Sequence, residues 1–150
     1  MLMFINVIIS IVALPILLIF GKPKKVRFAK HYLSPRLNKR FRICKWTPVL
    51  ELESRDWFAR IQGNSHIAAN AVLCFMIYRK EFKDNSKTLM HETIHIIQQS
   101  YFTPILVGLV YAIDVFIFLP FQQWYPENYI MKISVIERLA YDLAEEKDNG

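Results

Sequence analysis

Residues 87–102 read KTLMHETIHIIQQSYF, and at their centre stand His91-Glu92-Thr93-Ile94-His95. The run holds neither Gly nor Pro, and Ser86 before it is of a type that caps helices. Leu89, Thr93, Ile96 and Ile97 recur at the helical period and make a stripe for a core. His91, His95 and Gln98 fall on a second, more polar stripe. On a helix the two histidines lie one turn apart on the same face, so both imidazoles can reach one metal ion. Glu92 can then reach a water on that ion and take its proton. Zinc hydrolysis needs this pair, a third ligand from elsewhere and an open position for water. An HExxH also arises by chance in ordinary buried helices, but the helical context here favours a metal site.

A chain of 150 residues allows one domain with appendages. Its residues are 53% hydrophobic and its mean hydropathy is positive, which points to membrane contact. The two cysteines, Cys44 and Cys74, have no metal-ligand spacing and are expected as free thiols.

Residues 2–20, LMFINVIISIVALPILLIF, are apolar except for Asn6 and Ser10. As a helix they extend roughly 28 Å, enough for a bilayer core. No basic residue precedes the run and no small-residue cleavage site follows it, which favours an uncleaved anchor over a signal peptide. Ten bases then lie between Lys22 and Lys45, with no acid before Glu51. Such a flank keeps the domain on the cytoplasmic side, leaves the N-terminus outside and attracts anionic lipid. No nucleic-acid module accompanies the bases, so a nucleic-acid partner is not expected. The expected organisation is an anchor over 1–21, a basic juxtamembrane segment over 22–45 and a catalytic domain over 46–150.

Val49 to Glu53 alternates as a strand, with Glu51 and Glu53 on a solvated face. Arg55 to Gln62 reads as a short helix or loop and Gly63-Asn64-Ser65 as a turn, beside a lone His66. Ala71 to Tyr78 reads as a single strand whose exposed edge could pair with an extended peptide over the metal. Residues 104–121 are long and apolar. A complete crossing there would separate any downstream ligand from the histidines, so the run is expected to be buried or to lie in the membrane interface. Trp124 and Tyr125 suit an interfacial belt. Ser134 opens a last helix with Ile136, Leu139, Ala140 and Leu143 on its apolar face. The fold class expected is α+β.

The extended HExxHxxGxxH motif is absent, because Gln98 and Tyr101 occupy its diagnostic positions, and the candidate third ligands are the downstream acids Asp114, Glu127, Glu137, Asp142, Glu145 and Glu146. Glu137 stands out, in a helix and one turn before Tyr141. Ser134-Val135-Ile136-Glu137 also fits a capping box, and spacing alone does not choose between ligand and cap.

HETIHIIQQ, an aromatic apolar stretch and then ERLAYD resemble small bacterial and phage-type metallopeptidase domains of the gluzincin kind, over about residues 71–146. That resemblance implies a minimal zincin-like domain with one zinc held by His91, His95 and Glu137 and with Glu92 as the base. Gln98 and Tyr141 match positions of the pattern, whereas Val135-Ile136 departs from its usual lead-in. Apart from the resemblance, Tyr141 or His66 is a candidate to steady the oxyanion, although a structural role is the first expectation for His66. The substrate would be a peptide or protein. Two other classes remain open: a pseudoenzyme that keeps zinc as a structural staple, and a non-catalytic membrane interaction protein.

Overall fold

The computed structural model describes residues 2–64, 67–118 and 134–145. Its elements are α1 (Leu2–Phe20), β1 (Gly21–Phe28), α2 (Pro35–Arg40), β2 (Pro48–Ser54), α3 (Asp56–Asn64), β3 (Ala69–Val72), β4 (Phe75–Tyr78), α4 (Ser86–Phe102), α5 (Pro104–Phe118) and, last in the chain, α6 (Val135–Glu145). The class is α+β. The four strands form one mixed sheet in the order β1-β2-β4-β3, with β2 and β4 parallel and the two outer pairs antiparallel.

Both faces of the sheet are covered. Met76 and Tyr78 of β4 pack into the cluster under α4 and α6, with Met90, Ile94, Ile97 and Ala140. Phe75 and Ile77 turn the other way, against Leu17 and neighbouring residues of α1. Hence all four residues of β4 are buried, as expected of a strand with helices on both sides.

The apolar run Ala71–Tyr78 is not one strand. It folds back at Leu73-Cys74 so that Val72 pairs with Phe75. Leu73 sits at φ 57°, a conformation unfavourable for a branched side chain. Neighbouring helices hold the turn: the Leu73 amide donates to Gln99 Oε1 at 2.7 Å and the Cys74 amide to Ser10 Oγ at 3.1 Å. The strand immediately before the HExxH helix is therefore interior, and the edge strands of the sheet are β1 and β3.

The basic segment also differs from expectation. Its first residues are strand β1, paired with β2, rather than a separate linker. A Cβ on Gly21, where α1 passes into β1, would lie 2.7 Å from Leu52 Cβ, so that close approach needs glycine. Glu51 is 1% exposed rather than solvated. Its carboxylate accepts hydrogen bonds from Tyr32 and Tyr78, and Lys25 Nζ lies 3.6 Å away. Burial, and then the Glu51 carboxylate, push both tyrosine hydroxyls above their ordinary values. Glu53 does keep to the surface side, paired with Lys24 at 3.1 Å. Alternation along β2 failed to separate core from solvent because the sheet is covered on both faces.

Among the described residues, α1 is the one helix long and apolar enough to cross a membrane. It is more than a tether. Asn6 and Ser10 face the domain and are buried, with Asn6 Nδ2 donating to Ser100 Oγ of α4 at 3.1 Å. Ile8, Ile11, Val12, Ile16 and Ile19 face outward and are exposed. Both cysteines are buried free thiols, and burial raises both thiol pKa values.

If α1 is part of the folded unit, Ser10→Ala should destabilise it. The substitution leaves the buried Cys74 amide without its acceptor, at a cost of roughly 1–3 kcal/mol. Denaturant melting in detergent measures this, and unchanged stability would show that α1 is only a leash.

Candidate metal centre

The centre is built on α4. Asn85, not Ser86, caps the helix, its Oδ1 accepting from the Thr88 amide at 3.1 Å. Ser86 is the first helical residue. Every residue from Met90 to Ser100 is buried, so the two stripes expected from the sequence do not divide core from solvent. Polar side chains on such a helix need partners within the protein. Thr93 and Ser100 donate back to the carbonyls of Leu89 and Ile96.

Helix α6 brings the third donor. Arg138 N–H donates to the Ser134 carbonyl, and Glu137 N–H lies 3.4 Å from Ser134 Oγ. Ser134 thus caps the helix as the capping-box reading expects. The Glu137 side chain goes elsewhere: its Oε2 lies 3.3 Å from His91 Nε2 and 3.4 Å from His95 Nε2. Cap and candidate ligand are compatible, because one uses the main chain and the other the side chain. Ala140, Leu143 and Ala144 are buried while Leu139 is exposed. The helix is rolled relative to the expected apolar face, and its alanines allow α6 to approach α4 closely.

His91 Nε2 and His95 Nε2 are 3.1 Å apart, so two nitrogens and one oxygen converge as a group that could hold a metal ion. Glu137 Oε2 is buried without an aligned hydrogen-bond donor, which leaves it available to a cation. His95 Nδ1 lies 2.8 Å from Gln98 Oε1. With Nδ1–H donating there, Nε2 carries the lone pair toward the centre. Gln98 Nε2 in turn donates to the Ile136 carbonyl at 3.2 Å, tying His95 to the helix that carries Glu137. Gln99, the next residue, donates to the Ala71 carbonyl at 3.4 Å and accepts from Leu73. At Ala71–Leu73 the edge of β3 is therefore already engaged by α4. Sequence patterning did not reveal this role of Gln99. The only signal was two adjacent amides directly after the apolar pair Ile96-Ile97.

Glu92 is buried and lies outside the triad. Burial raises its carboxyl above the ordinary value, against the pull of both imidazoles and the Ala71 amide. Burial also works against ionisation of Glu137, but the two imidazoles overcome it and hold that carboxyl at about 2. Burial alone would lower the His95 imidazole, and Glu137 outweighs it, so the net shift is upward. A cavity of about 860 Å³ opens beside these groups, walled by β3, α4, α6 and the Pro104, Val107 and Gly108 side of α5. The outward side of α5, with Ile105, Leu106, Leu109 and Ile113, is exposed, so this helix is not buried. The Tyr141 ring packs on His91 at a centroid distance of 4.3 Å.

Asp142 is exposed and takes no part in the triad. Glu127, Glu146, His66, Trp124 and Tyr125 lie outside the described residues, as do the side chains of Asp114 and Glu145. Searches among protein-family models, curated proteins and solved structures found no match to this chain.

The signs of these shifts define a pH window for the metal-free chain. Glu137 contributes stability above its ordinary value of 4.5 and loses it as pH falls toward about 2. His95 contributes fully below its ordinary value of 6.5 and loses that contribution as pH rises through its raised value. Glu92, also raised, acts in the same direction as His95. We expect chelator-treated protein to be most stable in mildly acidic solution. Thermal melting from about pH 3 to about pH 8 tests this, and a melting temperature that climbs throughout would contradict it.

Proposed function

We propose that this chain is a membrane-anchored zinc metallopeptidase of the gluzincin kind, built on a minimal zincin-like domain. One observation carries the reading. Tetrahedral zinc with donors at about 2.0–2.1 Å sets neighbouring donors about 3.3–3.4 Å apart. The separations among His91, His95 and Glu137 are 3.1, 3.3 and 3.4 Å. The donor set, two imidazoles and a carboxylate, is one that zinc enzymes use.

Zinc held there would polarise the scissile carbonyl and acidify a water. Glu92, buried beside the triad with a raised pKa, removes a proton from the attacking water and returns it to the leaving amine. Gln98 fixes the tautomer and orientation of His95. The cavity admits a peptide segment between β3 and α6, with Tyr141 at its wall. The apolar face of α1 and the bases after it support an anchored chain with its domain on the cytoplasmic side.

Three variants separate these roles. Glu92→Gln should keep zinc and lose peptide turnover by roughly 10²–10⁴-fold. Glu137→Ala should lose zinc and stability together, because metal binding is coupled to folding. Full zinc occupancy in that variant would remove Glu137 from the ligand set. Gln98→Leu should weaken zinc binding by about 10–100-fold without removing a ligand. Zinc content and cleavage of a mixed peptide pool are the measurements. A wild-type chain that holds zinc and cleaves nothing would point to a structural staple.

A further inference from the structure

The end of α1 is clamped by the residues around the start of α3. Arg55 donates twice to its last turn, from Nε to the Leu18 carbonyl at 3.1 Å and from the main-chain N–H to the Phe20 carbonyl at 2.9 Å. A cation at a helix C-terminus also offsets the partial negative charge there. The Phe20 ring is held against Trp57 and Phe58, with centroids 5.4 and 5.2 Å away. Beside this clamp is an open cleft of about 400 Å³ lined by Lys22, Arg55, Asp56, Trp57 and Arg60.

Three cations face one carboxylate in that cleft. Among the described residues, Lys22 and Arg60 have no carboxylate within ion-pair distance, in contrast to Lys24 and Lys25 on the same strand, which pair with Glu53 and Glu51. Arg55 uses Nε on α1 and keeps its other guanidinium N–H groups. Trp57 is 44% exposed, as is suited to a membrane interface, and Ile16 and Ile19 stand exposed on the last turns of α1. Within one helical turn the surface passes from exposed aliphatic side chains to a basic cleft. That is the order a lipid presents, acyl chain and then phosphate.

We infer that this cleft binds the phosphate of one anionic phospholipid headgroup at the level where α1 leaves the bilayer, an inference that rests on α1 being a membrane span. Lys22 and Arg60 supply unpaired charge, Arg55 supplies directed N–H donors and Trp57 covers the glycerol region. The site draws two of its three cations from residues beyond the basic 22–45 segment. It is a discrete pocket rather than a diffuse attraction.

The full metal-loaded chain can be reconstituted into nanodiscs of phosphatidylcholine with a minor share of phosphatidylglycerol and then released for native mass spectrometry. One phosphatidylglycerol should be retained per chain in preference to phosphatidylcholine. Lys22→Ala and Arg60→Ala should each weaken retention about fivefold, while Lys22→Arg and Arg60→Lys should preserve it. The pair Lys39→Ala and Arg42→Ala, in the basic stretch but outside the cleft, should change nothing; equal loss in that pair would mean diffuse charge and overturn the site. Displacement of the lipid by inorganic phosphate would assign the cleft to free phosphate and likewise overturn it. A chain that resists alkaline extraction from membranes yet retains no lipid overturns the headgroup site alone. Extraction of the wild-type chain would overturn the span and the site together.

Discussion

Burial of α4 on every side is the constraint on which the rest of this structure depends. A helix with one wet face can leave its polar side chains to water. Here residues 90–100 have no such face, so their polar groups turn to partners in the protein, although His91 Nδ1 is buried without one among the described residues. Three consecutive residues show the consequence. Gln98 reaches the helix of Glu137, Gln99 reaches the β3–β4 turn, and Ser100 reaches Asn6 of α1. Successive residues on a helix point about 100° apart, so three adjacent polar side chains fasten three different elements.

The same constraint shapes the chemistry. Two imidazoles and two carboxyls share a largely buried space beside the cavity. Glu137 is held as a carboxylate by its imidazole neighbours, while Glu92 is pushed toward the neutral form by burial. Two carboxyls whose environments drive them apart suit different tasks, one to hold a cation and one to exchange a proton. The sites are linked mechanically, because Gln98 joins His95 to the main chain one residue before Glu137.

Helix α1 faces two environments. Its outward aliphatic residues are exposed, while Asn6, Ser10 and Leu17 are buried against the rest of the protein. Asn6 Nδ2 pairs with Ser100 of α4, and Ser10 Oγ pairs with the turn between β3 and β4. Helix α1 is thereby built into the scaffold that positions His91 and His95. The end of α1 is locked by Arg55 and by aromatic contacts with Trp57 and Phe58, so the helix and the sheet are in fixed relation.

Much of this was legible in the chain itself. The i, i+4 histidines, the apolar length of residues 2–20 and strand β2 all follow from local spacing. Local spacing is dictated by backbone geometry, which needs no knowledge of neighbours. What the sequence could not determine was which faces are covered. Glu51 looked solvated because alternation implies one wet face, and that fails when helices lie on both sides of a sheet. Ala71–Tyr78 looked like one strand because its turn has no Gly, Asn or Pro. Leu73 accepts a positive φ there because Gln99, distant in sequence, takes its amide. Glu137 could serve as cap or ligand by spacing alone, and only the approach of α6 to α4 showed that its main chain meets the Ser134 cap while its side chain lies beside both imidazoles. Periodicity records the geometry of each element. Burial and hydrogen-bond partners across elements are set by how those elements pack, and that was decided by the tertiary structure.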